Sequence, residues 1–202
     1  MNTGKVAYIT AGEHAAGEIL QSRRAKKFSL WLGMIGMFMM FAALSSGFIV
    51  YTASGVDKGI KTILPNAFIY STLAIVASSF TLHLAHSAVK RKAFKKQRLF
   101  LTLTIGLGLL FFGLQVHAWQ VFAERGIFFV NNNASQSFVF VFTGMHLAHI
   151  IAGLVVLARC YIGSARVIPY GDNRFRMELA AIFWHFLDVL WIYIYLFLLL
   201  NQ

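Results

Sequence analysis

Apolar residues fall into five long blocks along this chain: Phe28 to Tyr51, Leu64 to Val89, Leu99 to Ala123, Phe138 to Tyr161 and Leu179 to Leu200. Each is long enough to cross the roughly 30 Å hydrocarbon core of a bilayer as a helix. Short polar segments separate them. The pattern predicts an all-α membrane protein, a bundle of five transmembrane helices over about 28–51, 64–89, 99–123, 138–161 and 179–200, preceded by an N-terminal segment over 1–27.

Composition agrees. Hydrophobic residues make up 58% of the 202 residues and charged ones 12%, about half the charged share of a soluble domain, and mean hydropathy is +0.68. The net charge of +11 would suggest nucleic acid only if it formed a water-facing patch. Its distribution points elsewhere. Of 18 Lys and Arg, the N-terminal segment holds 5, the loop between Val89 and Leu99 holds 6, and Arg159 to Glu178 holds 4, whereas the other loops hold Lys58, Lys61 and Arg125. Basic residues are retained on the cytoplasmic side, so the N-terminus is expected inside and the C-terminus outside, with the excess charge facing the anionic inner leaflet and no nucleic-acid partner. The N-terminal segment is interrupted by Glu13, His14 and Glu18 and does not read as a cleaved signal. Arg23, Arg24, Lys26 and Lys27 are placed to stop at the lipid headgroups. One cysteine, Cys160, excludes an intrachain disulfide and a Cys-rich metal site. Asn133-Ala134-Ser135 fits a glycosylation acceptor pattern on an outer loop, a weak three-residue match.

Small residues recur within two blocks: Ser71, Ala74, Ser78 and Ala85 on the second, and Gly144, Ala148 and Ala152 on the fourth. Both stripes are expected to be helix–helix contacts of the bundle. The chemistry-bearing residues are fewer. Asp188 and His185 sit inside the last block, where an ionisable group is costly unless it meets a partner. His83 and His86, His146 and His149, and His185 and Asp188 are each three apart, hence neighbours on one helix face. Asp188 lies roughly 14 Å and His149 roughly 17 Å from the inner ends of their spans, so His149 is a predicted hydrogen-bond partner of Asp188, with His185 in competition. His83 with His185, and His117 with His146, share a depth, which leaves open a haem b-binding membrane anchor. A proton-coupled carrier would lean on Asp188, yet Pro65 and Pro169 lie at a span edge or in a loop and no pair of broken helices marks a midplane site. A metal site from His-x-x-His alone is an unspecific signal.

Two runs carry a family resemblance. Thr143-Gly144-Met145-His146-Leu147-Ala148-His149-Ile150-Ile151-Ala152-Gly153 resembles the signature of subunit III of haem-copper respiratory oxidases. Glu178 to Trp191, with Trp184-His185-Phe186, Asp188 and the closing Trp191, is similar to that family's last helix. Fainter echoes are Trp31-Leu32 and Met39 to Ala42, then Asn66, Ser78-Ser79 and Thr81, then Gly108, Gln115 and Trp119. The five spans match in order over about residues 28 to 200, as in the short bacterial form that lacks the first two of seven helices. Met37 and Ala118 depart from the pattern, standing where the family usually carries glutamates.

The resemblance implies a non-redox subunit III of a proton-pumping, oxygen-reducing oxidase in a bacterial cytoplasmic membrane. The chain itself would be non-catalytic and carry no haem, copper or other metal, and the haem and copper would reside in the partner catalytic subunit. It would flank subunits I and II, hold phospholipid, and support sustained turnover, proton uptake and oxygen access. The family embraces oxidases fed by cytochrome c and by quinol, because the donor surface belongs to another subunit. His146, His149, Glu178, Trp184, His185, Asp188 and Trp191 are the residues expected to form a structural polar network or a subunit interface.

Overall fold

The computed structural model describes residues 3–55, 64–130, 133–165 and 169–201, with side chains described from Gly17 onward. Lys58, Lys61 and Arg166 lie outside the described residues, as do the side chains of Glu13 and His14. The described chain is helical: α1 (Thr3–Ala53), α2 (Ala67–Lys90), α3 (Phe94–Glu124), α4 (Ala134–Ala165) and α5 (Tyr170–Leu200). All five are long and apolar enough to span a membrane, as the hydropathy pattern requires.

The helices run past the apolar blocks that predict them. α3 starts at Phe94 rather than Leu99 and α5 at Tyr170 rather than Leu179, because basic residues lengthen a helix into the headgroup region as readily as apolar ones do. Local chemistry then sets the ends. α2 closes with Lys92 at φ 56°; Lys92 N–H donates to Val89 O and Ala93 N–H to Ala88 O, both at 2.9 Å, which satisfies two orphan carbonyls. α3 closes the same way on Gly126 at φ 75°, with Ile127 N–H donating to Phe122 O at 2.9 Å and the Ile127 side chain buried. At the start of α4, Asn133 Oδ1 accepts the Ser135 N–H at 3.0 Å. The asparagine of the glycosylation pattern is thus a helix cap.

The chain divides into two compact units, residues 1–37 and 38–202. The first is a run of α1 on which Phe28, Trp31, Leu32 and Ile35 are exposed. In the second, α2 packs on α3 and α5, α3 on α4, and α4 on α5, a closed ring of four helices. Residues of α1 from Phe38 onward lie against α4 and α5: Phe41 is 6.4 Å from Phe142, Phe48 is 5.4 Å from Phe197, and Ser45 and Tyr193 share a 2.7 Å hydrogen bond. The interior is aromatic and aliphatic, with Phe68, Ile75, Leu82, Leu101, Phe111, Phe122, Trp184 and Trp191 fully buried. At the end nearest the turn between α2 and α3, Gln97 and Asn173 exchange side-chain hydrogen bonds at 3.3 and 3.2 Å, and Arg98 donates to Ser164 O at 2.9 Å.

The small residues of α2 are all buried, as expected for a helix contact. Those of α4 are not. Ala148 and Ala152 are exposed and Gly144 is half-buried, whereas Thr143, His146, Leu147, Ile150, Gly153 and Leu157 face inward. The predicted stripe does not serve this bundle, because a repeat of four places residues on one face without saying which face meets a neighbour. The small residue that does the packing is Gly153. A Cβ there would meet Trp184 at 3.0 Å and Leu187 at 3.1 Å.

Candidate functional site

α5 supplies the centre of the bundle through two tryptophans two turns apart on one face. The Trp184 ring lies against the backbone of Gly108 on α3 and Gly153 on α4: a Cβ at either glycine would fall 2.9 or 3.0 Å from the indole. Its N–H donates to Ser78 Oγ on α2 at 2.9 Å. One side chain therefore touches three other helices, and its single polar atom is satisfied, as a buried indole requires. Trp191 repeats the device. Its N–H donates to Thr72 Oγ1 at 3.0 Å, and its ring stacks on Phe68 at 5.8 Å, meets Phe111 edge-on at 4.9 Å and lies 5.1 Å from His146.

His146 is fully buried beside these rings, with Phe111 edge-on at 5.8 Å. Neither of its ring nitrogens has a hydrogen-bond partner among the described residues. Gln115 closes the same layer, donating its Nε2 to Ser71 Oγ at 2.9 Å. One turn outward, the Trp119 indole N–H donates to Thr143 Oγ1 at 3.0 Å. Thr72, Gln115 and Thr143 were not singled out by the sequence as partners. Their signal is a lone polar residue on the buried stripe of a span, placed opposite a tryptophan.

The second cluster lies between α2 and α5. Ser79 Oγ and His185 Nδ1 share a 2.6 Å hydrogen bond, and the same nitrogen stands 3.7 Å from Asp188 Oδ2, too far for a hydrogen bond. The Asp188 side chain is 6% exposed and that of His185 38%. Neither carboxylate oxygen has a hydrogen-bond partner among the described residues.

The predicted pairing of His149 with Asp188 is not found. His149 Nδ1–H donates to Met145 O at 2.7 Å, and its ring lies 6.2 Å from Phe41 of α1. The two residues match in depth but point to different neighbours, and depth arithmetic carries no azimuth. Glu178 lies two turns before His185 on α5 and is half-buried. The structure thus joins Trp191 to His146, sets His185 beside Asp188 and Trp184 against Ser78, and leaves His149 apart from both clusters.

Of the two histidine pairs that share a depth, His117 and His146 separate. His117 lies in a groove with Tyr70, Val121 and Arg125, whereas His146 is wedged between Phe111 and Trp191. A macrocycle has no space between such rings. No group of three or more His, Cys, Asp or Glu side chains is arranged to hold a metal among the described residues.

Comparison with known proteins decides among the readings. The family model of cytochrome c oxidase subunit III matches residues 25–201. The chain belongs to the cytochrome c oxidase subunit III family. It is 29% identical to cytochrome bo(3) ubiquinol oxidase subunit 3 of Buchnera aphidicola, over 89% of this chain and 88% of the relative. It is 27% identical to cytochrome c oxidase subunit 3 of Bacillus subtilis, over 84% and 83%, and 27% identical to a probable quinol oxidase subunit 3 of Staphylococcus saprophyticus, over 84% and 85%. The resemblance read from Thr143–Gly153 and Glu178–Trp191 is therefore correct. This subunit III is a non-catalytic member of a haem-copper oxidase, and the haem-anchor and carrier readings are not favoured.

Proposed function

We propose that this chain sits in a bacterial cytoplasmic membrane with its N-terminus inside, flanks subunits I and II of the oxidase, and holds the redox-active subunit in a form that sustains turnover. The observation that carries this reading is the construction of α5. Trp184 and Trp191 lock α2, α3 and α4 into one body, while His185 and Asp188 remain at the margin between α2 and α5. Such a body has the rigidity of a scaffold. His146, Trp184 and Trp191 act in packing, and His185 and Asp188 act toward a neighbouring subunit.

Bound phospholipid belongs to the same proposal. A groove of about 500 Å³ between α4 and α5 is lined by Val156, Arg159, Cys160, Ile162, Gly163, Arg176 and Leu179. Two guanidinium groups above an apolar wall suit an anionic headgroup and an acyl chain.

Removing the chain from its host tests the whole reading. Membranes lacking it are expected to retain haem-copper absorbance and initial oxygen reduction but to lose activity progressively during turnover. Unchanged turnover lifetime, or failure of a tagged chain to bring down haem-bearing subunits, would refute the proposal.

A further inference from the structure

The open face between α2 and α5 carries polar groups at membrane depth. On α2, Ser79 and His86 are half-buried and His83 is exposed; on α5, His185 is half-buried beside Asp188. His83 stands two turns inside the Lys90 end of α2, roughly 10 Å, and Asp188 roughly 14 Å inside the apolar part of α5, within the hydrocarbon by length alone. Intramembrane ionisable residues almost always face protein or a water-filled cavity, because lipid offers them no partner. By contrast α1 from Phe38 onward lies over α4 and α5, with Phe41 near Phe142 and His149 and Phe48 near Phe138, so it is occupied elsewhere.

Asp188 adds an independent observation. Its carboxyl is buried, 3.7 Å from His185 Nδ1, so it stands behind the imidazole that bonds Ser79, and the half-exposed ring is the part of the pair that a neighbour can reach. Apolar residues frame this strip: Val76 is 47%, Val189 66% and Ile192 37% exposed.

We propose that the α2/α5 face bearing Ser79, His83 and His185, with Asp188 buried behind them, is the surface that docks on the redox-active subunit, through a transmembrane helix whose side chains hydrogen-bond with the exposed imidazoles. This rests on the reading of the chain as an oxidase subunit and assigns the face. The competing surface is α4, where the exposed Ala148 and Ala152 would admit a close helix by shape alone. Small residues without a polar partner name no occupant, whereas the exposed imidazoles of the α2/α5 strip specify a helix with hydrogen-bonding side chains.

Photoreactive residues at Val76 and Val189, which flank the strip without altering it, are compared in intact oxidase membranes with the same residues at Ala152 and Val155. Adducts with the haem-bearing subunit are expected from the first pair and not from the second. The reverse pattern, adducts with a second copy of this chain, or adducts with lipid alone at Val76 and Val189 would overturn the face assignment. Should the tagged chain bring down no oxidase subunit at all, the functional reading fails with it. His83→Leu supplies a second readout, since a leucine at a lipid-covered site would be neutral or favourable. The docking assignment instead expects a several-fold loss of co-purified haem with the isolated chain still folded, and unchanged co-purification would overturn it.

Discussion

Trp184 donates its indole N–H to Ser78 Oγ at 2.9 Å across the α2/α5 contact, while Ser78 Oγ–H donates to Ile75 O at 2.7 Å. The hydroxyl's one proton is committed to its own helix, so its lone pair is turned toward the tryptophan. Both groups are buried, and each fixes the other's orientation.

Ser78→Ala should therefore leave a buried indole N–H without an acceptor. The cost is expected to be about 1 kcal/mol, below the upper range for soluble cores because the membrane-unfolded chain also finds partners. Unfolding in mixed detergent micelles measures it. Trp184→Phe in the Ser78→Ala background should lose no hydrogen bond beyond the first change, and additive losses would show that the pair does not interact.

Overpacking beside the same ring should be costlier. A methyl group at Gly108 would stand 2.9 Å from both Leu154 and Trp184, and one at Gly153 would stand 3.0 Å from Trp184. The indole is held between these two backbones and cannot retreat from one without striking the other. Gly108→Ala and Gly153→Ala are each expected to destabilise by about 1–3 kcal/mol, read as a lower midpoint of thermal or detergent unfolding. Gly106→Ala, open at the Cβ position, serves as the control and should not lower it.

How much of this was legible in the sequence depends on the kind of information needed. Five spans follow from hydropathy alone, since lipid demands long uninterrupted apolar helices. The family was legible because Trp184, His185, Asp188 and Trp191 stand in one register. Facing was not. Gly144, Ala148 and Ala152 repeat as well as any packing stripe, yet Ala148 and Ala152 are exposed, and His149 matches Asp188 in depth yet turns to Phe41. In water the polar face of a helix announces its outside; in a bilayer both sides of a span are apolar, and that signal is missing.

The turn between α2 and α3 makes a separate prediction about the backbone. Lys92 holds φ at 56°, a left-handed conformation that costs an L-residue about 1–2 kcal/mol and glycine almost nothing. Gly126 fills the equivalent place after α3. Lys92→Gly is expected to stabilise the turn by up to about 1 kcal/mol, the glycine's extra freedom in the unfolded chain offsetting part of the gain. A lower unfolding midpoint would show that the lysine side chain, whose Nζ lies 5.4 Å from the Tyr170 ring centroid, contributes more than the strain removes.

Orientation can be read with thiol chemistry at sites that the fold leaves open. Lys96 and Val130 are exposed near opposite ends of α3, so a cysteine at each reports one side of the membrane. In intact cells the charge distribution expects an impermeant reagent to label Val130→Cys and spare Lys96→Cys. Native Cys160 is buried and is replaced by serine or alanine in the background. Labelling at Lys96→Cys alone would invert the topology without disturbing the helix count.

His146 supplies the most discriminating substitution. Its ring is buried between Phe111 and Trp191 at 5.8 and 5.1 Å, and both nitrogens lack hydrogen-bond partners among the described residues. A buried polar group without a partner gains nothing over an apolar ring of similar shape, and replacing it can be neutral or stabilising. His146→Phe is therefore expected to assemble into the oxidase with undiminished stability and turnover. His146→Ala opens a cavity beside Trp191 and should cost about 2–4 kcal/mol, in the range of large-to-small core changes. Had the imidazole been a ligand or a proton carrier, phenylalanine would be as damaging as alanine. Equal loss of activity in the two variants, with both folded, would give His146 a chemical role in place of a packing one.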